Sequence, residues 1–265
     1  MQKWWGFFEF QNNILETDMT SISKIALACA ALVAASGAFA QKAGDNIVSV
    51  GLASINPNVS LDKMTSVGPG STGAYFTGKL VDANASVGNQ TTVSMGLLHM
   101  FTDEIGGEFT IGIPAEFTQD MYMPNGSAPQ SHPAAAKMKI WTPTAVAKYF
   151  FGTTNDQWRP YVGFGVSRVS FHNVSTNSTD TTVAALASTS AGFSSSWAPV
   201  YNAGVIYNVD EKWSINGSVS YIPIKTTATF VGPAAPGSGL NGPVTTTGDA
   251  KLNTMDYVIR LGYRF

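Results

Sequence analysis

The stretch "DYVIRLGYRF", residues 256–265, decides the fold. Tyr257, Ile259, Leu261, Tyr263 and Phe265 alternate with Asp256, Val258, Arg260, Gly262 and Arg264. A period of two puts the first set on one face of a β-strand and the second on the other. The final residue is a bare aromatic, where a soluble domain more often ends in a polar tail. An all-apolar face opposite a face with two arginines asks which medium each side meets.

The same alternation recurs upstream. Eight segments carry it, roughly 45–56, 89–101, 105–115, 138–151, 158–171, 196–209, 212–230 and 250–265. In the seventh, Trp213, Ile215, Val219 and Tyr221 oppose Ser214, Asn216, Ser218 and Ser220. In the third, Ile105, Phe109, Ile111 and Ile113 oppose Gly106, Glu108, Thr110 and Gly112. The fifth changes phase: Val162, Phe164 and Val166 hold one face, then Val169 and Phe171 the other, which predicts a bulge near Ser167-Arg168. Connections alternate between short and polar (102–104, 152–157, 210–211) and long and rich in Gly, Pro, Ser, Thr and Asn (57–88, 116–137, 172–195, 231–249). Short turns at one rim and long loops at the other describe an up-and-down barrel of the bacterial outer-membrane kind, with both termini on the periplasmic side.

A soluble barrel would show the same period with its faces reversed. Three features favour lipid outside. Aromatics sit near segment ends, with Trp197, Tyr207, Trp213 and Tyr221 as a candidate girdle, and interfacial Trp and Tyr suit a membrane boundary. The opposite face is small and mostly uncharged. Segments of ten or more residues match a tilted strand crossing a bilayer. The fold expected is therefore all-β, a transmembrane up-and-down antiparallel barrel of eight strands with short periplasmic turns and long extracellular loops.

Composition agrees. Only 12% of residues are charged and the formal net charge is −2, with no basic patch to suggest a nucleic-acid partner. "KIALACAALVAASGAFAQ", from Lys24 to Gln41, reads as a secretory signal with Ala38-Phe39-Ala40 as its cleavage site. Residues 1–18 are acidic and aromatic where a signal should be basic, and Met19 makes a better signal start. The domain organisation expected is an upstream extension plus a cleaved signal over 1–40 and one barrel domain over 41–265. The single Cys, Cys29, falls in the signal, so the mature chain holds no disulfide.

"KIWTPTAVAKYFFGTTNDQWRPYVGFGVSRVSF", residues 139–171, carries Pro143, Thr144, Tyr149-Phe150, Gly152, the Arg159-Pro160-Tyr161-Val162-Gly163 run and Gly165. With "TDEIGGE" at 102–108, Trp197 and the closing Gly262-Tyr263-Arg264-Phe265, it resembles the OmpW family of small outer-membrane proteins. The resemblance implies an eight-stranded barrel with a narrow, rather apolar interior and passive uptake of small hydrophobic molecules. It implies that a solute leaves sideways between strands into the lipid. Tyr257, Ile259, Leu261, Tyr263 and Phe265 resemble the C-terminal signal that the barrel assembly machinery reads in such proteins. The partners expected are thus outer-membrane lipids, that machinery and small hydrophobic solutes.

Candidate lumen residues are Glu108, Lys148, Gly163, Gly165, Ser218 and Arg260, all on inner phases. The charged three read either as a structural ion-pair cluster, which a barrel filled by its own side chains favours, or as a network tuning passage. The glycines allow curvature or leave room in the lumen. His99, His132 and His172 have no metal-ligand spacing; they read as one near-interface residue and two loop or rim residues. No cofactor motif is present, and Gly163-x-Gly165 lacks the third Gly and the helix of a nucleotide loop. Three functions compete: a passive channel for apolar solutes, a structural or adhesive barrel acting through its loops, and a membrane-embedded enzyme. No nucleophile and base stand out as a pair, so no enzymatic activity is expected.

Overall fold

A computed structural model describes residues 40–125, 130–234, 240 and 242–265. The expected signal and the upstream extension lie outside them, apart from Ala40. Thirteen strands form: β1 (Asn46–Leu61), β2 (Thr65–Val67), β3 (Asn84–Val87), β4 (Gln90–Met100), β5 (Ile105–Gly112), β6 (Ala115–Tyr122), β7 (Ser131–Trp141), β8 (Thr144–Phe150), β9 (Trp158–Thr176), β10 (Ser190–Phe193), β11 (Ser196–Asn208), β12 (Trp213–Gly232) and β13 (Val244–Arg264). Among the described residues two short helices join them, α1 (Thr72–Lys79) and α2 (Thr181–Ala187). No helix among the described residues is long and apolar enough to cross a membrane.

Antiparallel pairing runs β1–β4–β5–β8–β9–β11–β12–β13 and returns to β1, a closed ring of eight strands. The closing seam pairs β13 with β1 from Ile47 opposite Arg264 to Leu61 opposite Ala250. Closure gives each strand of the ring a partner on both sides, which an open sheet in lipid could not do.

The terminal strand shows how the faces divide. Tyr257, Ile259, Leu261 and Phe265 point outward and are exposed, with Tyr263 half-buried beside them, while Arg260 and Gly262 point inward and are buried. The outward apolar run extends from Met255 to Phe265, and above it the outward residues become Asn253, Lys251 and Asp249. Ten residues at ~3.3 Å each, tilted by ~40°, give a belt ~25 Å tall, the height expected of a lipid-facing band. Val48, Val50 and Leu52 on β1, Met95 and Leu97 on β4, and Phe164 on β9 continue it round the barrel. Aromatic pairs mark its edges: Trp158 with Tyr207 at 4.5 Å and Trp213 with Tyr263 at 5.0 Å by the short turns, Tyr201 with Tyr221 at 6.3 Å at the other rim. Trp197, 68% exposed, has the Arg168 guanidinium over its ring at 5.6 Å.

The bulge expected near Ser167-Arg168 does not exist. Register with β11 is continuous from Trp158 to Val169, and with β8 from Tyr161 to Ser167. Val169 and Phe171 stay on the inward face; the apolar side changes because the strand leaves the belt. Inside lipid the outward residues are apolar, and beyond it Arg168 and His172 face water while the inward side packs a core.

The long connections carry secondary structure and an outer core of their own. The upper parts of β1, β7, β9, β12 and β13 run past the belt, and β2, β3, β6, β10, α1 and α2 close over them. Met64, Phe76, Leu80, Met121, Met123, Val183, Leu186, Phe230 and Val244 bury one another there. His132, read from the sequence as a loop or rim residue, is fully buried in this cap, and its Nδ1 lies 2.8 Å from Asp180 Oδ2. Asp180 Oδ1 caps α2, accepting from the backbone N–H groups of Thr182 and Val183. Burial alone would raise the Asp180 pKa; the bonds from His132 and those amides outweigh it and hold the carboxyl below its ordinary value.

Candidate functional site

The lumen is built in layers from the short-turn rim upward. At the bottom, Ile47, Leu98, Met100, Phe150, Tyr161 and Ile206 form a buried apolar plug. Arg159, fully buried, donates to the backbone oxygens of Gln41 and Asp103, and Gln41 Nε2 donates to Asn208 Oδ1 at 2.6 Å. These contacts tie the first residues across the barrel mouth.

Next comes a charged layer. Glu108 Oε2 lies 2.7 Å from Lys148 Nζ, and Glu108 Oε1 lies 2.9 Å from an Arg260 guanidinium nitrogen. All three side chains are buried, which a lone charge could not be without large cost. Lys148 Nζ also sits 4.2 Å from the centre of the Tyr161 ring, whose hydroxyl donates to Asn216 Oδ1 at 2.9 Å. Strands β5, β8 and β13 bring together charges as far apart in the chain as Glu108 and Arg260, the ion-pair cluster that their shared inward phase and a narrow barrel had led one to expect.

Above this layer lies a cavity of about 70 Å³. Ser94, Thr110, Asn202, Ser218, Ser220 and Asp256 give it polar lining; Ala53, Val146, Val200, Ile222 and Val258 give it apolar lining. Its wall also includes Ile111, Gly112, Ile113, Ala115 and Thr142, where strand pairing breaks. The β4–β5 ladder ends with Ser94 opposite Gly112, plus the Ile113 N–H on the Val93 oxygen. On the same flank pairing resumes with Val87 opposite Gln119. On the other flank, β5–β8 ends with Thr110 opposite Thr144, and β6–β7 starts with Ala115 opposite Ile140. Ile113-Pro114 and Thr142-Pro143 supply the interruption, since proline has no N–H to give a ladder. Ile113 is 56% exposed on the outer surface. Two smaller apolar cavities stand higher: about 30 Å³ among Phe117, Ile140, Ile224 and Leu252, and about 20 Å³ in the cap among Met64, Leu80, Met121 and Phe230.

Of the residues expected in the lumen, Glu108, Lys148, Arg260 and Ser218 line or floor the central cavity. Gly163 and Gly165 lie on the inward phase but leave no open room. A Cβ at Gly165 would fall 2.0 Å from the Ala145 oxygen, and one at Gly163 would fall 2.7 Å from a Val146 methyl. Gly204, on the inward phase of β11, is likewise closed off, with the Tyr161 hydroxyl 2.5 Å from such a Cβ. These glycines admit neighbouring chain, not solute. Sequence reasoning passed over Asp256, Asn202, Tyr161 and Arg159, though their inward phase was the available signal. His99 sits at the belt edge with Nδ1 2.9 Å from Asn46 Oδ1, and His172 is exposed above the belt.

A closed antiparallel barrel with an apolar belt, aromatic rims and a polar, filled interior defines a bacterial outer-membrane β-barrel protein. Known proteins place it further. The model of the OmpW family matches residues 42–265. Outer membrane protein W of Vibrio cholerae is 30% identical over 244 residues, covering 90% of this chain and 97% of that one. Outer membrane protein AlkL of Ectopseudomonas oleovorans is 28% identical over 185 residues, 70% of each chain. The crystal structure of OprG from Pseudomonas aeruginosa superposes with a TM-score of 0.71 at 26% identity, covering 85% of this chain and 98% of that one. The chain belongs to the OmpW family and is an integral protein of the outer membrane.

Proposed function

We propose that the protein is a passive channel through which small hydrophobic molecules reach the interior of the outer membrane. The observation that carries this reading is the position of the central cavity. Below it stand three paired charges and the aromatic plug. Beside it is the interrupted pairing at Ile113-Pro114. A solute that entered through the cap would meet apolar walls at Phe117, Ile224 and Leu252, then the central cavity, then acyl chains. An apolar molecule loses little hydration on this path and gains on leaving it. An ion would lose hydration without compensating partners. The reading assigns the chain no catalysis. It also takes the apolar face of Tyr257, Ile259, Leu261, Tyr263 and Phe265 as the contact for the assembly machinery.

The test compares uptake of a labelled alkane and a monoterpene by cells with and without the protein. Faster uptake is expected, with no matching rise for sugars or charged nutrients. Ser218→Phe, which fills the central cavity from β12, should slow uptake while heat-modifiable gel migration shows a folded barrel. Equal uptake with and without the protein across several apolar compounds would overturn the channel and leave a structural or adhesive barrel.

A further inference from the structure

The central cavity is not uniformly apolar, and its polar part is not satisfied. Three buried side-chain atoms among its lining residues have no hydrogen-bond partner within the protein: Asn202 Oδ1, Asp256 Oδ1 and Arg260 Nε. Register puts the first two in one row, with Asn202 opposite Ser220 and Ser220 opposite Asp256. Asn202 has already used its amide nitrogen, which donates to Ser220 Oγ at 2.9 Å and to the Val219 oxygen at 3.1 Å. Its oxygen is the end left over. Arg260 lies four residues from Asp256 on the same inward face and donates from one Nη to Glu108 Oε1. Buried polar groups left unpaired cost free energy, so folds rarely keep three around one space without an occupant.

The chemistry of that occupant follows from the atoms. Two free acceptors and one free donor ask for a group that both donates and accepts, which a hydroxyl does. The apolar walls beside and above them, Val200, Ile222 and Ile113, ask for a hydrocarbon chain behind it. A plain alkane would leave all three atoms unpaired. The lining carries charges of both signs, Arg260 against Glu108 and Asp256, so a head of either charge would meet a like charge and a neutral head meets none. The volume, about 70 Å³, is several times the ~10–15 Å³ that one water-sized group needs, so it takes a hydroxyl and the first carbons of its chain. We propose that Asn202, Asp256 and Arg260 form a head-group site for a neutral aliphatic alcohol, whose tail lies along the apolar passage toward the gap at Ile113. The proposal rests on the channel reading for its transport role, but not for binding itself.

Two measurements separate the claims. Cells expressing wild type, Asp256→Leu, Asp256→Asn or Asn202→Leu are given labelled dodecane, 1-dodecanol or dodecanoate, and uptake by non-expressing cells is subtracted. The protein-dependent rate for 1-dodecanol is expected to exceed that for dodecane. Asp256→Leu and Asn202→Leu should lower the ratio of the alcohol rate to the dodecane rate about tenfold. Asp256→Asn, which keeps an acceptor, should hold the alcohol rate within about threefold of wild type. Alcohol and alkane rates that fall together, or a preference for dodecanoate, would overturn the site. The second measurement uses solid-state NMR of wild-type protein in phospholipid bilayers with 1-dodecanol labelled at its hydroxymethyl carbon. A through-space cross-peak to the Asp256 carboxyl or Asn202 amide carbon is expected. Its absence overturns the site even where uptake is seen. Its presence without protein-dependent uptake upholds the site and overturns the channel.

Discussion

Glu108→Ala is expected to destabilise the barrel more than any other single change in the lumen. One carboxylate serves two cations, at 2.7 Å to Lys148 and 2.9 Å to Arg260, and all three side chains are buried. At an effective dielectric of about 20, unit charges about 4 Å apart interact by about 4 kcal/mol. Removing one partner of a buried pair costs about 3–5 kcal/mol, because the other charge is stranded. Here two positive charges are stranded together, so the upper end of that range, about 5 kcal/mol, is expected. Lys148→Met leaves Glu108 paired with Arg260 and should cost less, about 1–2 kcal/mol. Replacing the whole cluster with Glu108→Leu, Lys148→Met and Arg260→Met should cost less than Glu108→Ala alone, since apolar groups of similar volume strand nothing. The assay is urea unfolding in liposomes, followed by tryptophan fluorescence. A Glu108→Ala barrel within about 1 kcal/mol of wild type would refute the reasoning, because it would mean lumen water solvates these charges. So would a triple variant less stable than the single one.

Other outcomes follow from the same structure. Ile215→Lys, on the outward face within the belt, should cost about 2–4 kcal/mol in the same unfolding assay, while Ser218→Lys, facing the cavity that holds Asp256, should cost less; the reverse order would swap the two faces. Deleting Phe265, which is 68% exposed and makes little packing, should block assembly as read by heat-modifiable migration. Phe230→Ala, in the cap core, should lower cap stability by about 3–5 kcal/mol yet still yield a heat-modifiable barrel. Asp180 ties the cap to pH. Its folded pKa lies below its unfolded value of about 3.9, so the bonds to His132 and to the start of α2 contribute fully above that value and are lost as pH falls through the folded one. The protection of the Thr182 and Val183 amides, taken relative to the intrinsic exchange rate at each pH, should therefore fall in acid, and Asp180→Ala should lower it at neutral pH by removing a helix cap worth about 0.5–2 kcal/mol.

What the chain declares locally is the alternation of faces. It depends only on successive side chains pointing to opposite sides of a strand, so Tyr257 to Phe265 revealed a belt, and Glu108, Lys148, Ser218 and Arg260 an interior, without any knowledge of neighbours. Turn lengths then told one rim from the other. The same local rule misread β9, because a phase change looks identical whether a strand bulges or passes from lipid into water, and only the uninterrupted register with β8 and β11 separates the two. The packing within the long connections was not legible in the sequence for a related reason. The buried contacts of Met64, Met121, Leu186 and Phe230 join segments far apart in the chain, and no short window of sequence contains them.

The sequence by itself determined the strand faces, the short-turn rim and the family, because each is written in spacing or in runs of adjacent residues. Tertiary structure alone decided the rest: which oxygen of Glu108 meets which cation, that Gly163, Gly165 and Gly204 admit neighbours instead of solute, and that a cavity lies beside the break in strand pairing at Ile113. Those facts depend on the stagger of strands around a closed ring, which sets the residues that meet across the lumen and is a property of the whole pairing pattern, not of any one strand.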